Sequence, residues 1–299
     1  MRVFVTGATG FVGSAVVGEL LGAGHRVVGL SRSDAGARTL EAAGAEVLRG
    51  DLEDLDSLRR GAAGADGVIH TAFVHDFTRF AESGEIDRRA IEALGETLAG
   101  TDRPLVVTGG LAGLAEGREA TEEDVPGPGS PRVSEQTGLA FAERGVRASV
   151  VRLAPSVHGE GDHGFVPHTI DIARERGVAG YPGDGSQRWP GVHRPDAARL
   201  FRLALESAPA GARLHGSGEE GVAVRDIAEV IGRHLGLPVE SIAPDRVAEH
   251  FGWIGMFLSA DMPASSARTR ELLGWAPTGP TLLDDLDAGH YFAGQTSAL

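Results

Sequence analysis

Residues 6–13 read Thr-Gly-Ala-Thr-Gly-Phe-Val-Gly, directly after the apolar run Val3–Val5 and directly before a stretch of helical character. The spacing places Gly7, Gly10 and Gly13 at a strand–turn–helix junction. There the first glycine allows a sharp turn, the second lets backbone N–H groups approach a diphosphate, and the third lets the helix pack close to the strand. The stretch therefore predicts a dinucleotide site, with a purely structural glycine-rich turn as the alternative.

Composition narrows the class of protein. The 299 residues include no cysteine and no lysine, so the 28 residues counted as Lys or Arg are all arginine. The formal net charge of −14 disfavours nucleic acid and anionic membranes as partners. No apolar run reaches the about 18 residues that span a bilayer, and the first residues do not resemble a signal peptide. We therefore expect a cytoplasmic monomer or homodimer whose partner is a small molecule.

Short β-rich runs alternate with amphipathic stretches through the first half of the chain. Runs such as Val-Ile-His at 68–70 are apolar without alternation, as expected of strands covered on both faces. The pattern predicts an α/β fold, a Rossmann-type doubly wound parallel sheet with right-handed crossovers. The predicted strands are Arg2–Thr6, Arg26–Ser31, Glu46–Arg49, Gly67–Thr71, Leu105–Thr108 and Ala148–Leu153. The predicted helices are Phe11–Leu21, Ala35–Ala43, Leu55–Ala63, Glu85–Leu98 and Ser134–Arg144.

After residue 153 the spacing of the elements becomes irregular. We predict a dinucleotide-binding domain at 1–153 and a smaller, mainly substrate-binding lobe at 154–299, with segments around 190–207 returning to the first domain. An acidic segment rich in Pro and Gly at 115–131 predicts an exposed loop, either solvated or a substrate lid. Helices are predicted at Val166–Arg176, Asp196–Glu206, Val224–Leu235, Arg246–Phe251 and Ser265–Leu273.

Further segments, taken with the glycine turn, resemble the extended short-chain dehydrogenase/reductase family, which includes the NAD-dependent epimerases and dehydratases. The resemblance covers essentially the whole chain, in order. The segments are Gly50-Asp51-Leu52, Val68 to Ala72, Arg152 to Gly159, Gly183-Asp184-Gly185 with Val192-His193, and Leu273-Gly274-Trp275.

The resemblance implies a set of cofactor contacts. Asp51 and Leu52 would flank the adenine, and Thr71–Phe73 would line the central part of the cofactor. Thr108 would lie near the nicotinamide, and Pro155–Val157 would hold its carboxamide end. The complete set of cofactor candidates is Gly7, Thr9, Gly10, Phe11, Val12, Gly13, Ser31, Arg32, Asp51, Leu52, Thr71, Ala72, Phe73, Thr108, Pro155 and Val157.

The family's catalytic residues are missing from this chain. In the family a Tyr-x-x-x-Lys pair transfers a proton, because the lysine lowers the pKa of the tyrosine. Here Pro131 and Glu135 stand at those two positions, and Gly110 stands where the family has its active-site serine. The chain therefore resembles the atypical members, which keep the cofactor turn and lack the usual catalytic set.

Another side chain must then supply a proton, and histidine or tyrosine at the carboxyl edge of the sheet can do so. His158 and His163 follow the sixth predicted strand, and Asp162 could raise the pKa of His163. His75 and Tyr181 are the further catalytic candidates. A structural hydrogen bond is the alternative role for each of them. The glycines around these histidines and the absence of thiolates argue against a metal site.

The end of the second predicted strand bears on the choice of cofactor. Arg32 follows Ser31 there, and arginine pairs with a 2′-phosphate, whereas an acidic residue would bind the ribose hydroxyls of NAD. Ser33 adds a hydroxyl donor, and Asp34 is expected to fall past the ribose. The sequence thus predicts a preference for NADP(H), with NAD(H) possible, and a solvated surface charge as the alternative role of Arg32.

These observations predict an NADP(H)-dependent oxidoreductase that reduces a carbonyl, alkene or imine of a small organic molecule. In nucleotide-sugar members of the family, an arginine two residues after the glutamine that corresponds to Gln187 helps to hold phosphate. Trp189 stands at that position here, with Arg188 beside it, which favours a fairly apolar substrate. The alternatives are a non-catalytic NADP(H)-sensing regulator and a redox-neutral isomerase or cyclase with bound cofactor.

Overall fold

The computed structural model describes residues 1–74, 79–115, 117–127 and 133–293. In chain order the strands are β1 (Arg2–Thr6), β2 (Arg26–Ser31), β3 (Glu46–Arg49), β4 (Gly67–His70), β5 (Pro104–Gly110), β6 (Arg147–Leu153), β7 (Ser156–His158), β8 (Ala179–Pro182), β9 (Arg188–His193), β10 (Ala212–Gly216), β11 (Glu219–Ala223) and β12 (Val239–Ile242). The α-helices are α1 (Phe11–Gly22), α2 (Asp34–Ala42), α3 (Leu55–Ala63), α4 (Phe80–Leu98), α5 (Ser134–Leu139), α6 (Phe165–Arg176), α7 (Arg194–Ser207), α8 (Val224–Leu235), α9 (Val247–Phe251), α10 (Gly255–Leu258), α11 (Ala267–Leu273) and α12 (Leu282–Asp287).

A seven-stranded parallel sheet forms the centre of the molecule, in the order β3-β2-β1-β4-β5-β6-β10. The chain runs outward from β1 through β2 and β3 and then returns to the other side of β1 at β4. In such sheets ligands bind at the carboxyl ends of the strands, where the strand order reverses. The predicted doubly wound parallel sheet is confirmed.

Helices cover both faces of this sheet. On one face α1 packs against α7, and on the other α3 packs against α4, with α5 beside it. Successive side chains of β1 point to opposite faces of the sheet, since Val3 and Val5 belong to one buried cluster and Phe4 belongs to the other. This double burial explains why the central strands read as continuous apolar runs.

The second half of the chain builds two small sheets and also returns to the large one. Strands β7, β9 and β11 form one small sheet, and β8 pairs with β12 in the other. Helix α7 packs on α1, while β10 pairs with β6 at the edge of the large sheet. The division at residue 153 remains a prediction.

Three expectations differ from the structure. Helix α4 begins at Phe80 rather than Glu85, and the predicted helix 134–144 ends as α5 at Leu139 before a 3₁₀ turn at Ala140–Arg144. Part of the acidic segment 115–131 is buried rather than exposed, because Glu122 accepts hydrogen bonds from the backbone N–H and hydroxyl of Thr269 at 2.8 and 2.7 Å. Residues 116 and 128–131 of that segment lie outside the described residues.

Candidate active site

The turn between β1 and α1 requires glycine at two of its three positions. Gly7 has φ +68°, and a Cβ there would lie 2.6 Å from the Ala72 nitrogen. A Cβ on Gly13 would lie 1.9 Å from the Gly7 carbonyl oxygen. Both distances are below any real contact, so the fold itself requires these glycines.

Gly10 differs, because the protein's own packing leaves space around it. A Cβ there would meet the Gly7 oxygen alone, at 3.2 Å, and the residue is exposed. Gly10 is the N-cap of α1, no side chain caps the helix, and the first turn carries no acidic residue. The open amides next to Thr9, Phe11 and Val12 therefore fit a diphosphate, which helix N-termini bind through their N–H groups.

The end of β2 carries both charges that bear on the cofactor. Arg32 is exposed, while the Asp34 carboxylate lies 3.0 Å from a guanidinium nitrogen of Arg49. The Ser31 hydroxyl is buried and donates to the Ser33 carbonyl at 3.0 Å, so its proton is already used. Ser33 accepts from Gly36 N–H and caps α2.

The ends of β3 and β4 hold the next group of cofactor candidates. One Asp51 oxygen accepts the Glu53 N–H at 3.0 Å, and Leu52 beside it is half-buried. The Thr71 hydroxyl donates to the Thr6 carbonyl at 2.8 Å, which holds Ala72 against Gly7. Phe73 follows, half-buried.

The remaining cofactor candidates follow β5 and β6. The Thr108 hydroxyl donates to the His70 carbonyl at 2.8 Å, which ties the ends of β5 and β4 together. Pro155 and Val157 are half-buried directly after β6. Their contacts with a cofactor stay a prediction.

A buried hydrogen-bond chain beneath these strand ends was not predicted from the sequence. The Asp87 carboxylate accepts from His70 Nε2 at 2.9 Å and from the Ser134 hydroxyl at 2.5 Å. The other ring nitrogen of His70 lies 2.8 Å from the Thr6 hydroxyl. All four side chains are at most 2% exposed, so the chain joins β1, β4, α4 and α5 out of contact with solvent. The one signal in the sequence is helical periodicity, which places Asp87 on the face of its helix that packs against the sheet.

The position of the family's lysine holds a buried ion pair. Arg152 donates to both Glu135 oxygens, at 2.7 and 2.6 Å, and Arg213 donates to one of them at 2.9 Å. Both oxygens of Glu135 are thus bound by arginines, and its carboxylate does not take over the role of the family's catalytic lysine. Pro131 and the catalytic candidate His75 lie outside the described residues.

His158 is enclosed rather than presented to a ligand. It is 0% exposed, and its Nδ1 donates to the Asp285 carboxylate at 2.9 Å. Its Nε2 is buried without a hydrogen-bond partner in the described part of the chain, and the Glu219 carboxylate is 4.0 Å away. Burial raises the pKa of Glu219. The hydrogen bond between His158 and Asp285 therefore joins β7 to α12.

Asp162 makes its side-chain hydrogen bonds to Tyr291 and Gly164 rather than to His163, and the effect expected of it on His163 stays a prediction. Its oxygens accept from the Tyr291 hydroxyl at 3.0 Å and from Gly164 N–H at 2.7 Å. Burial raises the pKa of both Asp162 and Tyr291. His163 is exposed and packs edge-on against Phe11, with ring centroids 5.7 Å apart, which places it at the glycine turn.

Tyr181 lies in the second half of the chain, on β8, with the Arg225 guanidinium 5.7 Å from its ring centre. Beside it is a cavity of about 620 Å³. Its lining carries no charged side chain and consists of Pro182, Gly183, Gln187, Pro244, Val247, Ala248, Gly252, Trp253, Gly255, Met256 and Ser259. Trp253 is 44% and Met256 72% exposed. Tyr181 thus lies next to this cavity, which its neighbour Pro182 lines, and its catalytic role stays a prediction.

The described residues contain neither a cluster suited to a metal ion nor a membrane-spanning helix. Their His, Asp and Glu side chains form no group of three suited to a metal ion. Among the described helices, none combines the length and apolar character needed to cross a bilayer.

Comparison with known proteins places the chain in a family. The model of the NAD dependent epimerase/dehydratase family matches residues 3–94. An uncharacterised protein of Schizosaccharomyces pombe is 52% identical over 295 residues, covering 98% of this chain and 100% of that protein. An uncharacterised protein of Saccharomyces cerevisiae is 46% identical, covering 97% of this chain and 99% of that protein.

More distant relatives carry named activities. A UDP-glucose 4-epimerase of Streptomyces lividans is 29% identical, over 96% of this chain and 94% of that protein. A 2-alkyl-3-oxoalkanoate reductase of Stenotrophomonas maltophilia is 27% identical, over 80% of this chain and 77% of that protein. Homologues thus include both epimerases and reductases.

Solved structures share the fold across nearly the whole chain. MoeE5 in complex with UDP-glucose and NAD aligns with a TM-score of 0.75 at 25% identity, over 97% of both chains. The dTDP-glucose 4,6-dehydratase DesIV of Streptomyces venezuelae aligns with a TM-score of 0.78 at 21% identity, over 97% of this chain and 96% of that one. The chain therefore belongs to the NAD-dependent epimerase/dehydratase family, and it is an NAD(P)-dependent enzyme of that family without the tyrosine–lysine pair.

Proposed function

We propose that this protein is an NADP(H)-dependent reductase acting on a carbonyl, alkene or imine of a small, fairly apolar molecule. The observation that carries the proposal is the glycine turn, where Gly10 leaves the first amides of α1 open. A bound nicotinamide dinucleotide supplies the hydride chemistry, and the protein holds the reacting groups in one orientation. The reductases among its relatives agree with this activity.

The charges after β2 support NADP(H) rather than NAD(H). Arg32 has no carboxylate partner among the described residues, whereas Asp34 is neutralised by Arg49. Arg32, Asp34 and Arg49 together carry a net positive charge at the place where a 2′-phosphate would lie. A charged hydrogen bond there would contribute about 1.5–3 kcal/mol to the binding free energy.

The second half of the chain supports a substrate without phosphate. Trp189 is 1% exposed and donates its Nε1–H to the Phe257 carbonyl at 3.0 Å, so it belongs to the core. Arg188 is paired with both oxygens of Asp261, at 3.0 and 2.8 Å, so a carboxylate already offsets its charge. The uncharged cavity with its exposed Trp253 and Met256 then favours an apolar molecule.

One observation favours the regulator as a second candidate. Gly110 offers no side chain, and Glu135 is held by two arginines, so neither acts as a proton donor. A protein that only senses NADP(H) would need none.

Hydride transfer decides between the two. Incubation with NADPH deuterated at C4 and a panel of aldehydes, enones and imines should place deuterium in at least one product. Tight NADPH binding without transfer to any acceptor would instead support the regulator.

Cofactor choice has its own test at Arg32. Arg32→Ala should weaken NADPH binding by about 1.5–3 kcal/mol and leave NADH binding nearly unchanged, as calorimetry would show. Arg26→Ala is the matched control, since it removes the same charge at the opposite end of β2. A native preference for NADH, or equal losses for both cofactors, would contradict the assignment.

A further inference from the structure

Arg194 lies beside the first turn of α1, although it is distant in sequence. It opens α7, and its Nη2 donates to the Ser14 hydroxyl at 2.7 Å. Its guanidinium carbon is 4.6 Å from the ring centre of Phe11. Its Nη1 donates to the Glu160 carbonyl at 3.3 Å, in the loop that carries His163.

Among the residues that the structure describes, this arginine has no carboxylate partner. The other arginines of α7 are paired, Arg199 with Asp196 and Arg202 with Glu19 and Glu206. Arg194 contacts only neutral oxygens among the described residues, and its Nε is buried without a hydrogen-bond partner. Partial burial also lowers the pKa of Arg194, which means that removing the charged guanidinium from water costs free energy.

The position adds to that cost in the ligand-free protein. A helix N-terminus carries partial positive charge, and a cation beside it is repelled. Helix α1 has no acidic residue in its first turn that could offset this repulsion. An anion bound at the turn would remove both penalties.

We propose that Arg194 binds the diphosphate of the dinucleotide and supplies its counter-charge from the second half of the chain. This inference rests on the proposed function, because it needs a dinucleotide on the glycine turn. It gives the loop at 159–164 a role as well, since Arg194 ties the Glu160 carbonyl to Ser14 of α1.

The test compares ligands with and without the diphosphate by calorimetry. Arg194→Gln should raise the Kd of ADP, NADPH and NADH alike by about tenfold, the scale of one charged hydrogen bond. The Kd of adenosine 2′-monophosphate should not change, because that ligand lacks the diphosphate. Arg194→Lys should restore most of the affinity.

Arg202→Gln is the matched control, because Arg202 also reaches from α7 to α1 but is paired with carboxylates. It should leave all four dissociation constants unchanged. The ligand-free melting temperature of Arg194→Gln should be no lower than that of the wild type, and its rise on adding ADP should be smaller.

Two outcomes would overturn the inference. One is an unchanged Kd for ADP and NADH in folded Arg194→Gln, and the other is an equal loss for adenosine 2′-monophosphate. Failure of the proposed function is separate, since it shows as missing deuteride transfer in the wild-type protein.

Discussion

At the scale of single residues, the glycine turn shows how much a local pattern can reveal. The spacing of the three glycines is enough to predict a strand–turn–helix junction, because the residues that form such a turn are neighbours in sequence. It could not show that Gly7 and Gly13 are required by backbone contacts while Gly10 is not. That distinction separates stability from ligand binding.

We expect Gly10→Val to abolish most dinucleotide affinity with little change in melting temperature, because the side chain would fill the space left for a diphosphate. Gly13→Ala is the contrasting variant and should lower the melting temperature, since its Cβ would overlap the Gly7 oxygen. Calorimetry with NADPH and thermal melts of both variants check this. Full affinity in Gly10→Val would be evidence against the site.

His158 should be structural. His158→Ala leaves the Asp285 carboxylate without one of its hydrogen bonds, and we expect the free energy of unfolding to fall by about 1.5–3 kcal/mol. His163→Ala, at an exposed position, should change stability little. Urea titration and turnover of the folded fraction measure both effects, and a loss of turnover without a loss of stability in His158→Ala would restore it as a catalytic residue.

At the scale of elements, strands buried on both faces could be predicted and short mixed strands could not. Strand β9 contains Pro190, which removes a ladder hydrogen bond and argues against a strand. Strand β10 carries Arg213 and His215, and these polar residues give it no apolar pattern that would predict a strand of the large sheet. Their partners lie far away in sequence, so no local pattern reports them.

Helix α5 depends on the pairing of Glu135. Glu135→Lys would set three cations against one another in a buried position, and we expect a loss of about 3–5 kcal/mol in the free energy of unfolding. This is why a lysine there would not rebuild the family's catalytic pair. Glu143→Lys, exposed in the following turn, is the control and should change stability by less than about 0.5 kcal/mol. Chemical denaturation of both variants decides, and equal stabilities would refute the role given to Glu135.

At the scale of the whole molecule, residues from the second half of the chain fix the surroundings of the candidate site. Asp285 holds His158, Tyr291 holds Asp162, and Arg194 reaches Ser14. Each contact spans well over a hundred residues of sequence. The motifs name candidate residues for the cofactor side of the site, whereas tertiary contacts alone decide which histidines are enclosed.

The junction between the large sheet and the later segments predicts a pH dependence of stability. His215 is 0% exposed, its Nδ1 donates to the Ser265 carbonyl at 2.7 Å, and its Nε2 accepts from Arg152 at 3.0 Å. Burial lowers the pKa of His215, and the Arg152 charge adds to this, against the opposing carboxylates of Glu122 and Glu135.

The unfolded chain therefore binds this proton more tightly than the folded one, and stability should fall as the pH drops below about 6.5. One such group contributes a slope of up to about 1.4 kcal/mol per pH unit. His215→Gln keeps a polar side chain that does not titrate, so its stability curve between pH 8 and pH 5 should be flatter than that of the wild type. Urea titrations across this range measure both slopes, and parallel curves would show that His215 does not carry the effect.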